Sequence, residues 1–260
     1  MTVARGARRW RRLGPPLVLV AALLVVWEAY CRLTGVSPVV LPAPSRIVQA
    51  LWTARADAVR HTLPTLGETL VGLAISVGFS VAAAILMDRF TTIRRAVEPV
   101  VVASQTIPVV AIAPLLVLWF GFDLAPKVIV VVLVTFFPVT VALLDGFASA
   151  PADATDLLRS FGATRRQVFW KVRWPGALPN FFTGLRIAVT YGVIGAVFGE
   201  YVGAYEGLGI WMQLSQNAFR VDLVFAAILL AALLSVALYG LVVFAERLLI
   251  PWHAASRRVA

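Results

Sequence analysis

Residues 150–180 read APADATDLLRSFGATRRQVFWKVRWPGALPN, the longest polar interruption in an otherwise apolar chain. Ala154, Leu157, Leu158 and Phe161 stand at i, i+3, i+4 and i+7, which predicts one apolar face of a short helix. Pro151 and Asp153 mark its start, since an early proline loses no needed donor and an acid complements the helix dipole. Gly162 permits a sharp turn. Thr164 can then cap a second helix in which Val168, Phe169 and Val172 are apolar and Arg165, Arg166, Lys171 and Arg173 are cationic. Pro175 and Pro179 are expected to end that helix before the next apolar span. Taken alone, such a basic amphipathic stretch reads as a helix lying in the headgroup layer, its cations facing anionic lipid.

The surrounding chain makes a membrane the natural solvent. Over 260 residues it is 60% hydrophobic with mean hydropathy +0.88, too apolar for a soluble domain. The net charge of +10 comes from cations that flank apolar spans instead of forming a separate basic domain, which argues against nucleic acid as a partner. Cys31 is the single cysteine, so no intrachain disulfide can form. The basic N-terminal stretch runs into apolar sequence with no small-x-small cleavage site, and reads as a retained first span rather than a secretory signal.

Hydropathy predicts an all-α membrane protein with six transmembrane helices, near 15–33, 64–87, 97–119, 126–145, 181–203 and 223–247. They form one membrane domain over 15–250, between an N-terminal tail at 1–14 and a C-terminal tail at 251–260. With both termini and the 150–180 loop on one side, that side holds 16 of the 23 lysines and arginines and the other side six. Arg186, just inside the fifth span, is the remaining one. The excess places both termini and the loop in the cytoplasm. On the outer side, LPAPSRIVQALW (41–52) reads as an extended turn leading into a short interfacial helix anchored by Trp52.

Two spans carry polar or helix-breaking residues that need a reason. In QTIPVVAIAPLLVLWFG (105–121), Pro108 and Pro114 leave the carbonyls of Ser104 and Val110 without their helical partners. Either these kinks serve packing or the span lines a pathway. Pro138 is expected to kink the fourth span. In the fifth span Gly195, Gly199, Gly203 and Gly207 recur every four residues, a smooth ridge for close helix packing within a bundle or a dimer. Glu200 lies beside that ridge, and a carboxylate at a span centre costs about 2.5–3.5 kcal/mol. It is either a pathway or gate residue, or a structural acid hydrogen-bonded near the outer boundary. Tyr191, Tyr201, Tyr205 and Glu206 add polar tips nearby, and Gly207-Leu208-Gly209 marks an outer turn.

Catalytic readings find no support in the same residues. His61 and His253 are the only histidines, outside the expected spans and in no metal-ligand spacing. No phosphate loop of the G-x-x-x-x-G-K-[ST] type is present, so the chain is not expected to bind ATP. Asp145 has no second aspartate within a span, and Ser104 and Ser235 lack a base in the membrane.

The loop resembles the cytoplasmic signature of type I ATP-binding-cassette (ABC) importer permeases: Glu-Ala-Ala, three residues, Gly, nine residues, then Ile-x-Leu-Pro. Here Asp156-Leu157-Leu158, Gly162 and Val172-Arg173-Trp174-Pro175 keep that spacing, with Asp for Glu, leucines for both alanines, and Trp174 for leucine. The 41–45 run and the Ile-Pro, Pro-Leu, Trp-Phe-Gly order of the third span are similar to the nitrate, sulfonate and taurine group. GEYVGAYEGLG (199–209) and ERLLIPWH (246–253) look most like hydroxymethylpyrimidine (thiamine-precursor) permeases. The resemblance implies a bacterial inner-membrane subunit with cytoplasmic coupling helices that is not itself an enzyme and binds no cofactor. ATP and Mg would sit on a separate ATPase dimer, and an extracytoplasmic binding protein would deliver solute. A second permease, expected to be an identical copy, would complete an alternating-access pathway. The resemblance assigns ATPase contact to Asp156, Leu157, Leu158, Phe161, Gly162, Ala163 and Pro175, and leaves Glu200, Tyr191, Tyr201, Pro108 and Pro114 as pathway or gate candidates. An intramembrane enzyme and a non-transporting scaffold are the alternatives.

The orientation has a direct check. A cysteine replacing Thr164 should be protected from an impermeant thiol reagent in intact cells, while one replacing Ser37 should react. Labelling of Thr164→Cys from outside would overturn the six-span arrangement.

Overall fold

The computed structural model describes residues 3–104 and 106–251, with side chains from residue 14 onward. The expected C-terminal tail beyond Pro251, including His253, lies outside the described residues, as do Gln105 and the side chains of residues 1–13. The first helix, α1 (Val3–Thr34), is apolar enough to cross a membrane over Gly14–Thr34, and its flank from Leu17 to Val26 is exposed to the surroundings. Its outer end is tied down by Glu28, which accepts hydrogen bonds from the Ser45 backbone N–H (3.0 Å) and Oγ (2.7 Å) at the start of α2 (Pro44–Thr53). That short helix begins on a proline, as the outer segment predicts, and buries Ile47 and Ala50.

The next helix, α3 (Arg55–Arg89), starts nine residues before the expected position 64 and runs through Pro64. One lost backbone bond is outweighed because the buried face (Ala58, His61, Thr65, Glu68, Thr69, Gly72) continues with helical period across the proline. The third expected span, 97–119, is not one helix. It is α4 (Thr91–Ser104) and α5 (Val109–Phe120), whose axes meet at 95°. Pro108 is the N-cap of α5 with extended dihedrals, and the residue before a proline is driven away from helical conformation. Pro114, by contrast, sits inside α5.

Next come α6 (Leu124–Ala148), which continues through Pro138, and α7 (Ala152–Ser160), both in the expected places. A four-residue α8 (Arg165–Val168) leads through a π-helical turn (Phe169–Arg173) into α9 (Trp174–Val202). Here the expectation that Pro175 and Pro179 would end the second loop helix is corrected, because residues 165–202 form one uninterrupted helical run. The π turn shifts the register just before Pro175: Trp174 N–H bonds to the Phe169 carbonyl five residues back, and Pro175 falls in the first turn of α9. Two helices close the chain, α10 (Leu208–Asn217) and α11 (Val221–Leu249). The helix at 208–217 is not among the elements expected from hydropathy. Among the described residues, five helices are long and apolar enough to span a membrane, and the bent α4–α5 pair is either a sixth, broken span or a re-entrant loop.

The centre of the bundle is α6, with α9 and α3 packed along it. A Cβ on Gly184 would sit 2.6 Å from both Ala142 Cβ and the Pro138 carbonyl, and one on Gly199 3.1 Å from Lys127 Cα. On the α6 side, a Cβ on Gly146 would meet Ala177 at 2.8 Å. Gly195 faces Val134 in the same way. Of the expected ridge, Gly195 and Gly199 serve packing of α9 on α6 within the chain, whereas Gly203 ends α9 and Gly207 is the N-cap of α10, so the four do not form one helical ridge.

Candidate functional site

The loop between α6 and α9 is built by local rules that the sequence spells out. Gly162 adopts φ +78°, a left-handed conformation that favours glycine. Around it, Gly162 N–H bonds to the Arg159 carbonyl (2.9 Å) and Ala163 N–H to the Leu158 carbonyl (3.0 Å), a Schellman ending for α7. Two residues later Thr164 starts α8 with a capping box: its N–H bonds to Gln167 Oε1 (2.7 Å) and its Oγ1 accepts from Gln167 N–H (3.3 Å). The stop and the start together set the angle between α7 and α8.

The segment from α8 into α9 is anchored to the bundle. Arg173 pairs with Asp88 at the end of α3 (2.7 Å) and donates to the Phe147 carbonyl at the end of α6 (3.0 Å). Phe169, Trp170 and Trp174 cluster with Phe147, the Phe147–Phe169 ring centroids lying 5.3 Å apart. By contrast α7 buries nothing: Leu157 is 58% and Phe161 80% exposed. Leaving these two exposed forgoes about 1.5–3 kcal/mol each, while Leu158 between them is half-buried. Asp156 is engaged by Arg159 (3.5 Å).

Higher in the bundle a groove of about 670 Å³ runs between α5, α6 and α9. Phe137, Tyr191 and Phe198 supply aromatic walls, and Asp145 and Thr183 the polar groups at its loop end. No cation lines it. Of the five pathway candidates, Tyr191 lines this groove, and Pro108 precedes the lining residue Val109. Pro114 is an exposed residue within α5, and the Tyr201 hydroxyl donates to Gln216 Oε1 of α10 (2.8 Å).

Glu200 is fully buried beyond the groove's outer end, among contacts the sequence did not disclose. It accepts from Thr65 Oγ1 (2.6 Å) and from Gly209 N–H (2.7 Å). Thr65 Oγ1 also accepts from Leu208 N–H (2.9 Å), and His61 Nδ1 accepts from Gly207 N–H (3.1 Å) while its ring stacks on Trp211. Three consecutive N–H groups at the start of α10 are thus met by side chains from α3 and α9. Helix starts leave such donors orphaned, and burial makes an orphan costly. The approach is close enough that a Cβ on Gly209 would lie 2.2 Å from the Val197 carbonyl. Beside this network Lys127 of α6 pairs with Glu68 of α3 at 3.2 Å, both buried. Glu68 lies inside an expected span, so the rule that singles out Glu200 could have found it. Lys127 reads as a span-edge cation, and only the fold shows it turned inward.

The family described as binding-protein-dependent transport system inner membrane component matches residues 74–251. The chain is 41% identical to the formylaminopyrimidine transport permease protein ThiX of Halalkalibacterium halodurans, covering 95% of this chain and 98% of that protein. It is 36% identical to the riboflavin transport system permease protein RibX of Chloroflexus aurantiacus, covering 95% and 92%. Among solved structures, the inward-facing MetNI methionine ABC transporter aligns with a TM-score of 0.62 at 19% identity, over 78% of this chain and 97% of that one, a likeness of fold.

The Glu200 network separates two substitutions. In Glu200→Gln the new amide can accept from Gly209 N–H and donate to Thr65 Oγ1, so thermal stability in detergent should fall by about 1 kcal/mol or less. Glu200→Leu strands the buried Gly209 donor and should cost about 1–3 kcal/mol. Equal, negligible effects of both on the melting temperature would show that the network does not hold α10.

Proposed function

Because the chain belongs to the family of binding-protein-dependent transport system inner membrane components, we propose that two copies of it enclose the pathway of an ATP-driven importer for a small nitrogen heterocycle. The chain is a multi-pass permease subunit of an ABC importer, the non-catalytic membrane component, with ATP hydrolysis on a separate subunit. The finer reading is ours. The unburied Leu157–Phe161 face of α7 carries it, because a surface that the chain leaves wet beside a rigid root is what a docking lever needs.

In this reading the ATPase, holding ATP and Mg, takes Leu157, Leu158 and Phe161 into a groove, with Asp156, Gly162 and Ala163 fixing the helix and its turn. Pro175 lies in the first turn of α9, so a push on α7 passes through the π turn into α9. Arg173 passes it on to the inner ends of α3 and α6. The bundle then has two arrangements biased by the nucleotide, as alternating access requires. Both termini and the loop face the cytoplasm, as the cation excess supports, and an extracytoplasmic binding protein delivers the solute.

The groove favours a neutral or weakly basic aromatic solute. An incoming pyrimidine finds the faces of Phe137, Tyr191 and Phe198 and the acceptor Asp145. A sulfonate or nitrate would meet that acid with no lining cation, and nearby Arg186 is already paired with Glu246. The cargos named for the two relatives, formylaminopyrimidine and riboflavin, both carry nitrogen heteroaromatic rings, which supports the same class.

Gly162→Val tests the lever. A Cβ there meets nothing within 4 Å, so the only penalty is the φ of +78°, strain of about 1–3 kcal/mol that reorients α7. Uptake should be lost and ATPase recovered per permease in pull-downs should drop, with membrane insertion normal. Gly162→Asn, which tolerates this φ, should keep most of both. Normal uptake and ATPase recovery in Gly162→Val would remove α7 as the coupling element.

A further inference from the structure

At the loop end of the bundle a second cavity, about 480 Å³, opens between the last turn of α3 and the loop. Its floor is apolar, Ile85 and Val168, and its rim is Arg89, Arg165 and Arg166 with the half-exposed indole of Trp170. Two further arginines at its edge are already engaged, Arg173 by Asp88 and Arg159 by Asp156. Among the described residues no carboxylate pairs with Arg89, Arg165 or Arg166. The three cations therefore face one cavity without a counter-ion from the described chain.

We propose that this cavity is a binding site for the phosphate headgroup of an anionic phospholipid. Arg89 ends a membrane-spanning helix, and its neighbours Leu86 and Phe90 are exposed on that helix's outer flank, so the cavity mouth lies at headgroup depth. Indole and guanidinium groups are the residues that settle at this depth, and an apolar floor beneath cations accommodates a glycerol backbone as a soluble anion would not need. Basic pockets between spans on the cytoplasmic side are read by lipid phosphates. The apolar α7 residues Leu157 and Phe161 do not line the cavity, although α7 contributes Arg159 to its edge. A lipid phosphate bridging Arg89 to Arg165 and Arg166 would brace the coupling loop against α3. The site is independent of which solute is carried.

The test uses the full-length permease purified with its ATPase and placed in phosphatidylcholine bilayers containing a minor fraction of phosphatidylglycerol. Lipid retained after extraction is quantified by mass spectrometry. Taking each arginine that faces the cavity as worth about a fivefold change in affinity, Arg89→Gln/Arg165→Gln/Arg166→Gln should weaken phosphatidylglycerol retention about a hundredfold. Arg94→Gln/Arg95→Gln, at the same end of the bundle on α4, should leave it unchanged. Wild-type retention in the triple variant overturns the proposal. So does displacement of phosphatidylglycerol by equimolar inorganic phosphate, which would make this a free-anion site. Loss of the ATPase with lipid retention unchanged would make the arginines a protein contact and also overturn it. A measurement on the unsubstituted rim guards against misfolding. Fluorescence quenching of Trp170, taken by difference from Trp170→Phe, should be stronger with brominated phosphatidylglycerol than with brominated phosphatidylcholine. Equal quenching contradicts the site.

Discussion

The close backbone contact between α6 and α9 fixes the rest of the molecule. Gly184 against Pro138 and Gly146 against Ala177 leave no room for a larger side chain, and Gly199 against Lys127 leaves little. In lipid, apolar burial gives little drive for helices to associate, so such close van der Waals contact is what holds them. The 25 residues between the two helices, 149–173, are thereby forced out at one end of the bundle, and the chain leaving α9 is forced to turn at the other. The loop and the α10 latch are both consequences of one packed pair.

Those two ends differ in how they are finished, and the difference is functional. At the α10 end the N–H groups of Gly207, Leu208 and Gly209 are buried and matched, by His61, Thr65 and Glu200. Unmatched, each would cost about 1–3 kcal/mol, so the latch is closed within the chain. At the loop end the root of the loop is equally tied, through Arg173 and the Phe147 cluster, but no residue of α7 is fully buried. A rigid root with an exposed apolar tip is the geometry on which the proposed coupling rests. The Glu68–Lys127 pair lies on the same α3–α6–α9 contact and makes its separation expensive, since opening it would leave a buried charge alone. The three helices are thus better suited to moving together than to sliding apart.

Much of the fold is legible in the sequence. The spacing of Asp156, Gly162 and Pro175 places the loop, and Gly195 and Gly199 mark the packed face of α9, while Gly203 and Gly207 fall past its end. Where the sequence misled, tertiary contact outweighed a local rule. Pro175 and Pro179 are helix breakers by propensity, yet a π turn absorbs the first and packing on α6 carries the helix past the second. Pro64 is passed in the same way. Pro108 does break its span, because no buried stripe crosses it as one crosses Pro64. The α10 helix was invisible because its start is capped by residues more than 140 positions away, His61 and Thr65, which no local window can contain. The inward turn of Lys127 was hidden for the same reason.

The proposed coupling treats α7 as a lever rigidly joined to the bundle in a two-copy assembly. Spin labels on Ser160→Cys, in a background with Cys31→Ser, would report the distance between the two copies in the reconstituted complex. The distance should shorten when ATP is trapped on the ATPase and recover after hydrolysis. An unchanged distance during active uptake would contradict the lever.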